Sequence, residues 1–228
     1  MKFFFDPDLI ARTYRDPLAV ASLVVDLLPI VAVLVFGWGA TPLVALYWLE
    51  NLVIGLFTVL RIVATGFANV ANVFGAIFMV PFFTVHYGMF CYGHGVFLRA
   101  FAKDGGVGSP GVGDLISWAL GSGQGMAYFV LAILIMNGVF YVSDFLIRGE
   151  YRNANLATEM FSPYGRIVTL HVAIILGALL AFGSDEPLFG VLLLILMRVV
   201  FGIAFSAYRQ HRRDREIGAG MDELGSTV

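Results

Sequence analysis

A chain of 228 residues that is 59% hydrophobic and 13% charged, with a mean hydropathy of +0.86, lies far outside the composition of a water-soluble domain. Its formal net charge of -2 offers no broad basic surface for nucleic acid, and its single cysteine, Cys91, excludes a disulfide framework or a Cys-rich metal site. The composition predicts an all-α, polytopic integral membrane protein, one domain over residues 1–228.

A membrane-spanning helix needs about 20 mostly apolar residues, and six segments approach that length: 17–37, 42–64, 73–100, 125–147, 163–182 and 187–208, followed by a tail over 209–228. The first follows the mixed stretch DPDLIARTYRD, is interrupted by Asp26 and Pro29, and lacks a small-residue cleavage site, so it reads as a retained helix and not a secretory signal. The turn GWGATP is so short that helices one and two must form an antiparallel hairpin. After the third helix, KDGGVGSPGVGD predicts a surface loop, and DLISWAL a short interfacial helix with Trp118 at headgroup level. Beyond the fourth, RGEYRNANLATEMFSP is polar; SPYGR reads as a helix start with Ser162 as N-cap and Pro163 at the first helical position. The turn GSDEP makes helices five and six a second hairpin. No internal repeat of the kind found in many secondary transporters is visible.

The distribution of Lys and Arg sets the orientation. With both termini in the cytoplasm, Arg61, Arg148, Arg152, Arg166 and the RQHRRDR tail lie inside, against only Arg99 and Lys103 outside. The expected location is the cell inner membrane, multi-pass, with the lipid bilayer as the surrounding partner.

Ionisable side chains at membrane depth cost a few kcal/mol or more unless paired, hydrated or bound, about 2.5–3.5 on insertion scales, and so mark functional positions. Counting about 1.5 Å per residue from each helix end puts Asp26, His86, His171 and Arg198 near the midplane, Glu50 slightly outward of it and His94 in the outer third. Five helices thereby each supply a polar group at comparable depth, which predicts convergence on one interior site or water-filled cavity. His86 and His94 are eight positions apart, roughly 12 Å along an ideal helix and about 80° around it. They cannot share one ion unless the helix breaks at Pro81 or around Gly88, Gly93 and Gly95, and the better reading of those glycines is close helix packing. Tyr87, Cys91 and His94 share a face, and Tyr47 lies one turn before Asn51.

Imidazole and carboxylate groups suit zinc and similar divalent metals. His86, His171 and Glu50, with His94 as a further donor, form the expected metal-ligand set, although no local motif such as HExxH is present. In a metal-dependent hydrolase acting on a lipid or membrane-embedded substrate, Asp26 or Glu50 would serve as general base. Arg198 would serve as a fixed positive charge, or else as the salt-bridge partner of Asp26 or Glu50. Three other readings stay open: a small ion or proton-coupled carrier using Glu50, the histidines and Arg198; a b-type haem protein with His86 and His171 as axial ligands; and a structural or partner-binding protein, including a homo-oligomer, whose polar residues lock helix packing.

The segments YWLENLVIGLFTVLRI, PFFTVHYGMFCYGHGVFL, PYGRIVTLHVAIILGALL and LLLILMRVVFGIAF together resemble a family of bacterial and archaeal integral membrane proteins known only as a domain of unknown function, with HYGxFxxGHGxF as its core. The matching positions are Trp48, Glu50, Asn51, His86, Gly88, His94, Pro163, Tyr164, Arg166 and His171. The resemblance implies a polytopic membrane fold and carries no substrate, cofactor or catalytic role.

Overall fold

The computed structural model describes residues 17–68, 70–102, 109–165, 167, 168 and 200. The chain divides into two units, one formed by 1–28 with 195–228 and the other by 29–194. The described residues are helical, with no strand among them.

Helix α1, Pro17–Phe36, is apolar and keeps Pro29 and Asp26 within its backbone path. It ends where Gly37 adopts a positive φ of 65°, a conformation that costs glycine nothing, and the Gly37 N–H closes on the Val33 carbonyl at 3.1 Å. The Trp38 indole then donates to the Gln124 carbonyl at 3.1 Å, pinning this turn to a segment far along the chain.

Helix α2, Ala40–Gly66, and helix α3, Val70–Phe101, form the hairpin that organises the larger unit. Pro42 sits in the first turn of α2, where its missing N–H has no intrahelical partner to lose. Pro81 lies deep inside α3, yet the helix runs through it without a break. Three close approaches fix the antiparallel register: Gly66 against Ala76, Gly55 against Tyr87, and Gly95 against Trp48. A methyl group at Gly55 or Gly95 would come within 2.7 Å of the facing ring, so both positions need the absence of a side chain. Gly88 and Gly93 face open space, which corrects the expectation that the whole glycine group serves close packing.

Helix α4, Val112–Gly121, is the short helix expected from DLISWAL; Asp114 accepts from the Gly111 N–H at 2.8 Å and holds its first turn. Helix α5, Met126–Phe140, runs parallel to α2, with Gly138 against Phe57 and the Tyr141 hydroxyl donating to the Leu60 carbonyl. It continues as a π-helical turn over Tyr141–Ile147, closed by the Arg148 N–H on the Ser143 carbonyl at 3.1 Å. The wider turn leaves two neighbouring side chains, Asp144 and Phe145, both buried.

After a 3-10 turn at Glu150–Arg152 comes α6, Leu156–Phe161, a short helix inside the polar segment between the fourth and fifth expected spans. Asn155 caps it, its Oδ1 accepting from the Ala157 and Thr158 N–H groups at 2.9 and 3.3 Å. Ser162 closes this helix at its C-terminal end, where its N–H donates to the Thr158 carbonyl, and does not open the next one. Leu156 and Met160 give this short helix an apolar face to bury.

Three helices, Ala40–Gly66, Asn72–Ala100 and Met126–Ile147, are long and apolar enough to cross a membrane. They lie within a few residues of the segments expected at 42–64, 73–100 and 125–147. The expected segments 163–182 and 187–208 fall almost entirely outside the described residues. Much of α3 presents large apolar side chains outward, among them Phe74, Ile77, Phe78, Val85 and Met89, whereas α2 is enclosed along most of its length.

Candidate functional site

The site is built on α2. Tyr47, Glu50, Asn51, Thr58, Arg61 and Thr65 recur at steps that keep them on one side of a helix, within a strip about 100° wide and about 27 Å long. Five of these six are buried, with Glu50 6%, Asn51 5% and Thr58 5% exposed, in a helix whose remaining side chains are almost all apolar. A row of polar groups enclosed in this way is costly without partners, and several of those partners are visible.

At the level of Asn51 the two long helices are stitched together by side chain to backbone bonds. The Trp48 indole donates to the Cys91 carbonyl at 2.7 Å, and the Tyr87 hydroxyl donates to the Asn51 carbonyl at 3.0 Å. Thr58 turns its hydroxyl back onto the Ile54 carbonyl at 2.9 Å. Replacing Tyr87 by Phe should cost about 1 kcal/mol, the net worth of one such bond, read as a small fall in the midpoint of thermal unfolding in detergent; an unchanged midpoint would show that this bond does not hold the hairpin.

At the other end of the strip, Arg61 makes a forked ion pair with Glu159 of α6, at 2.5 Å from Nε and 3.2 Å from Nη2, and lies over the Phe145 ring at 4.0 Å. Beside it the buried Asp144 pairs with Arg148 at 3.0 Å. From the sequence, Arg61 enters only as one of the cytoplasmic-side charges that set the orientation. The partner that draws it inward lies 98 residues away, and nothing local in the sequence announces it.

The histidines of α3 occupy different settings. His86 is half-buried among aromatic rings, stacked on Phe82 at 5.4 Å and flanked by Phe90 and Tyr164 at 5.2 and 5.9 Å. Tyr164 also meets Phe83 and Tyr87, so the segment after α6 closes over this side of α3. His94, also half-buried, is two turns further on. Cys91 is buried in the core cluster with Ile62, Phe83, Tyr87 and Ile167.

Among the described residues no three His, Cys, Asp or Glu side chains gather closely enough to hold a metal ion. Of the residues expected at the site, Glu50, His86 and His94 are described; His171, Arg198 and the side chain of Asp26 lie outside the described residues. Sequence reasoning passed over Thr58 and Thr65, whose small polar side chains on the Glu50 side of α2 are visible from helical spacing alone, and Glu159, which is not.

No curated protein and no solved structure matches the chain. A family match covers residues 8–220, nearly the whole sequence and all of the site described above. The chain therefore belongs to the Family of unknown function (DUF6498).

Proposed function

We propose that the chain is a multi-pass protein of the cell inner membrane, with both termini cytoplasmic, that binds a cation inside its helical bundle. The observation that supports this is the carboxyl group of Glu50, 6% exposed in the middle of a 27-residue apolar helix. A buried carboxylate is the donor a divalent metal takes readily, and imidazole is its usual companion. The ligand set is Glu50 with His171 and one histidine of α3, His86 or His94. The chemistry is metal-assisted hydrolysis of a lipid or membrane-embedded substrate.

Protein purified without chelators should carry about one divalent transition metal per chain, the stoichiometry of a single closed site, measured by elemental analysis. Glu50→Ala and His171→Ala should each remove it. Metal-free protein, or metal retained by both variants, overturns the metal reading.

The spread of polar groups along α2, in place of a compact cluster of ligands, favours a second reading as an ion or proton-coupled carrier. Flux in proteoliposomes that Glu50→Gln abolishes, from protein free of metal, would select the carrier over the hydrolase.

A further inference from the structure

Phe78, Phe82, His86 and Phe90 follow one another at every fourth position of α3, a step that keeps their rings on one side of the helix. Phe78 stacks on Phe82 with centroids 5.8 Å apart and ring planes 14° from parallel, and Phe82 stacks on His86 at 5.4 Å and 11°. Phe90 meets the imidazole edge to face at 5.2 Å. Beside this ladder stand Tyr164, 5.9 Å from His86, and Phe161, 5.9 Å from Tyr164. Phe78, Phe82, Phe90 and Phe161 are all exposed, so the ladder and the Tyr164 wall border an aromatic groove on the outside of the helices, with the half-buried His86 between them.

His86 is the odd member of that groove. The Phe rings need only apolar neighbours, which lipid tails supply, whereas a neutral imidazole carries an N–H and a bare nitrogen that both call for partners away from water. Among the described residues none forms a hydrogen bond or an ion pair with it. Depth narrows what could. His86 stands midway along the span Asn72–Ala100, with about 15 Å of hydrocarbon between it and either surface. Phospholipid headgroups and ester carbonyls end short of that level, so a polar partner has to be carried there by an apolar molecule. Resting on the reading of α3 as a membrane-spanning helix, we infer that the groove binds a flat, carbonyl-bearing ring on a hydrocarbon tail, the chemistry of a prenylated quinone. The His86 N–H donates to the ring carbonyl, and Phe82, Phe90 and Tyr164 pack on the ring, where offset and edge-to-face contacts add to plain burial. An acyl chain would fill the groove and leave the imidazole unpaired; a ring with a carbonyl satisfies both. Such an occupant engages His86 from the lipid side, which leaves His94 as the α3 histidine for the Glu50 site.

The test titrates full-length protein in nanodiscs of a saturated phosphatidylcholine with radiolabelled decylubiquinone, counting the label bound above its partition into empty nanodiscs. Binding should saturate at about one molecule per chain. His86→Leu keeps an apolar side chain in the groove and removes the N–H, and should weaken binding about tenfold. His86→Gln restores a donor and should return to within about threefold of the unaltered protein, a rescue that a purely packing role would not give. Leu56→Ala, at an exposed position of α2, should leave binding unchanged. Monodisperse protein that takes up no saturable label, or takes up as much after His86→Leu, overturns the groove. So does a dimer that His86→Leu splits without any uptake of label, since a second copy would then occupy this face. The protein is stripped with a chelator beforehand, so the result is independent of whether Glu50 holds a metal. A chain that stays monodisperse without lipid or detergent defeats the membrane reading, and the groove with it, by a separate measurement.

Discussion

Replacing Trp48 by Ala should lower the unfolding free energy by about 3 to 5 kcal/mol, the range seen when a large buried aromatic is truncated. The ring is 1% exposed, fills the space left by the missing side chain of Gly95, and carries the hydrogen bond to the Cys91 carbonyl. Its loss removes packing from both helices of the hairpin at once and leaves that carbonyl without its indole donor. Phe at the same position keeps most of the contact and forfeits the bond, so Trp48→Phe should cost about 1 to 2 kcal/mol. Denaturant titration in mixed micelles separates the two. If Ala and Phe cost the same, the hydrogen bond and not the packing holds the helices together. If neither costs anything, the hairpin is stabilised elsewhere.

The second large effect is expected at the ion pair between α2 and α6. Glu159→Ala strands the Arg61 guanidinium, two-thirds buried and pressed against the Phe145 ring, without its carboxylate. Breaking a fully buried pair costs about 3 to 5 kcal/mol, and the partial exposure of Arg61 brings the expectation down to about 2 kcal/mol. Removing both partners should cost less than the sum of the single changes, because the Arg61→Ala, Glu159→Ala protein holds no uncompensated charge. Additive costs would mean that the two side chains act independently, against the forked geometry.

How much of this could be read before the fold was known depends on how far apart the cooperating residues lie. Apolar runs of about 20 residues, bounded by glycine-rich or charged turns, locate α2, α3 and α5 to within a few residues, since a helix satisfies its own backbone and needs only local sequence to do so. The same local rule places the short α4 and the tight turn at Gly37. It also marks Glu50 and Asn51 as side chains that an apolar helix has to enclose, and helical spacing sets Thr58 and Thr65 on their side.

Contacts across the chain obey a different constraint. The Trp48 bond to Cys91, the approach of Gly138 to Phe57 and the Arg61 pair with Glu159 join residues between 43 and 98 positions apart. Hydropathy says which residues leave water; it does not say which neighbours they meet. The helix α6, six residues long and capped by Asn155, is too short to stand out as a periodic segment and forms because Leu156 and Met160 find a core to bury against. The amino-acid sequence by itself determined the apolar helices and the polar residues they must hide, because both follow from the transfer of one segment out of water. Only the tertiary structure decided that Arg61 turns inward to Glu159, that Asp144 is enclosed by a π-helical turn, and that His86 sits among aromatic rings, because those outcomes are set by partners from distant parts of the chain.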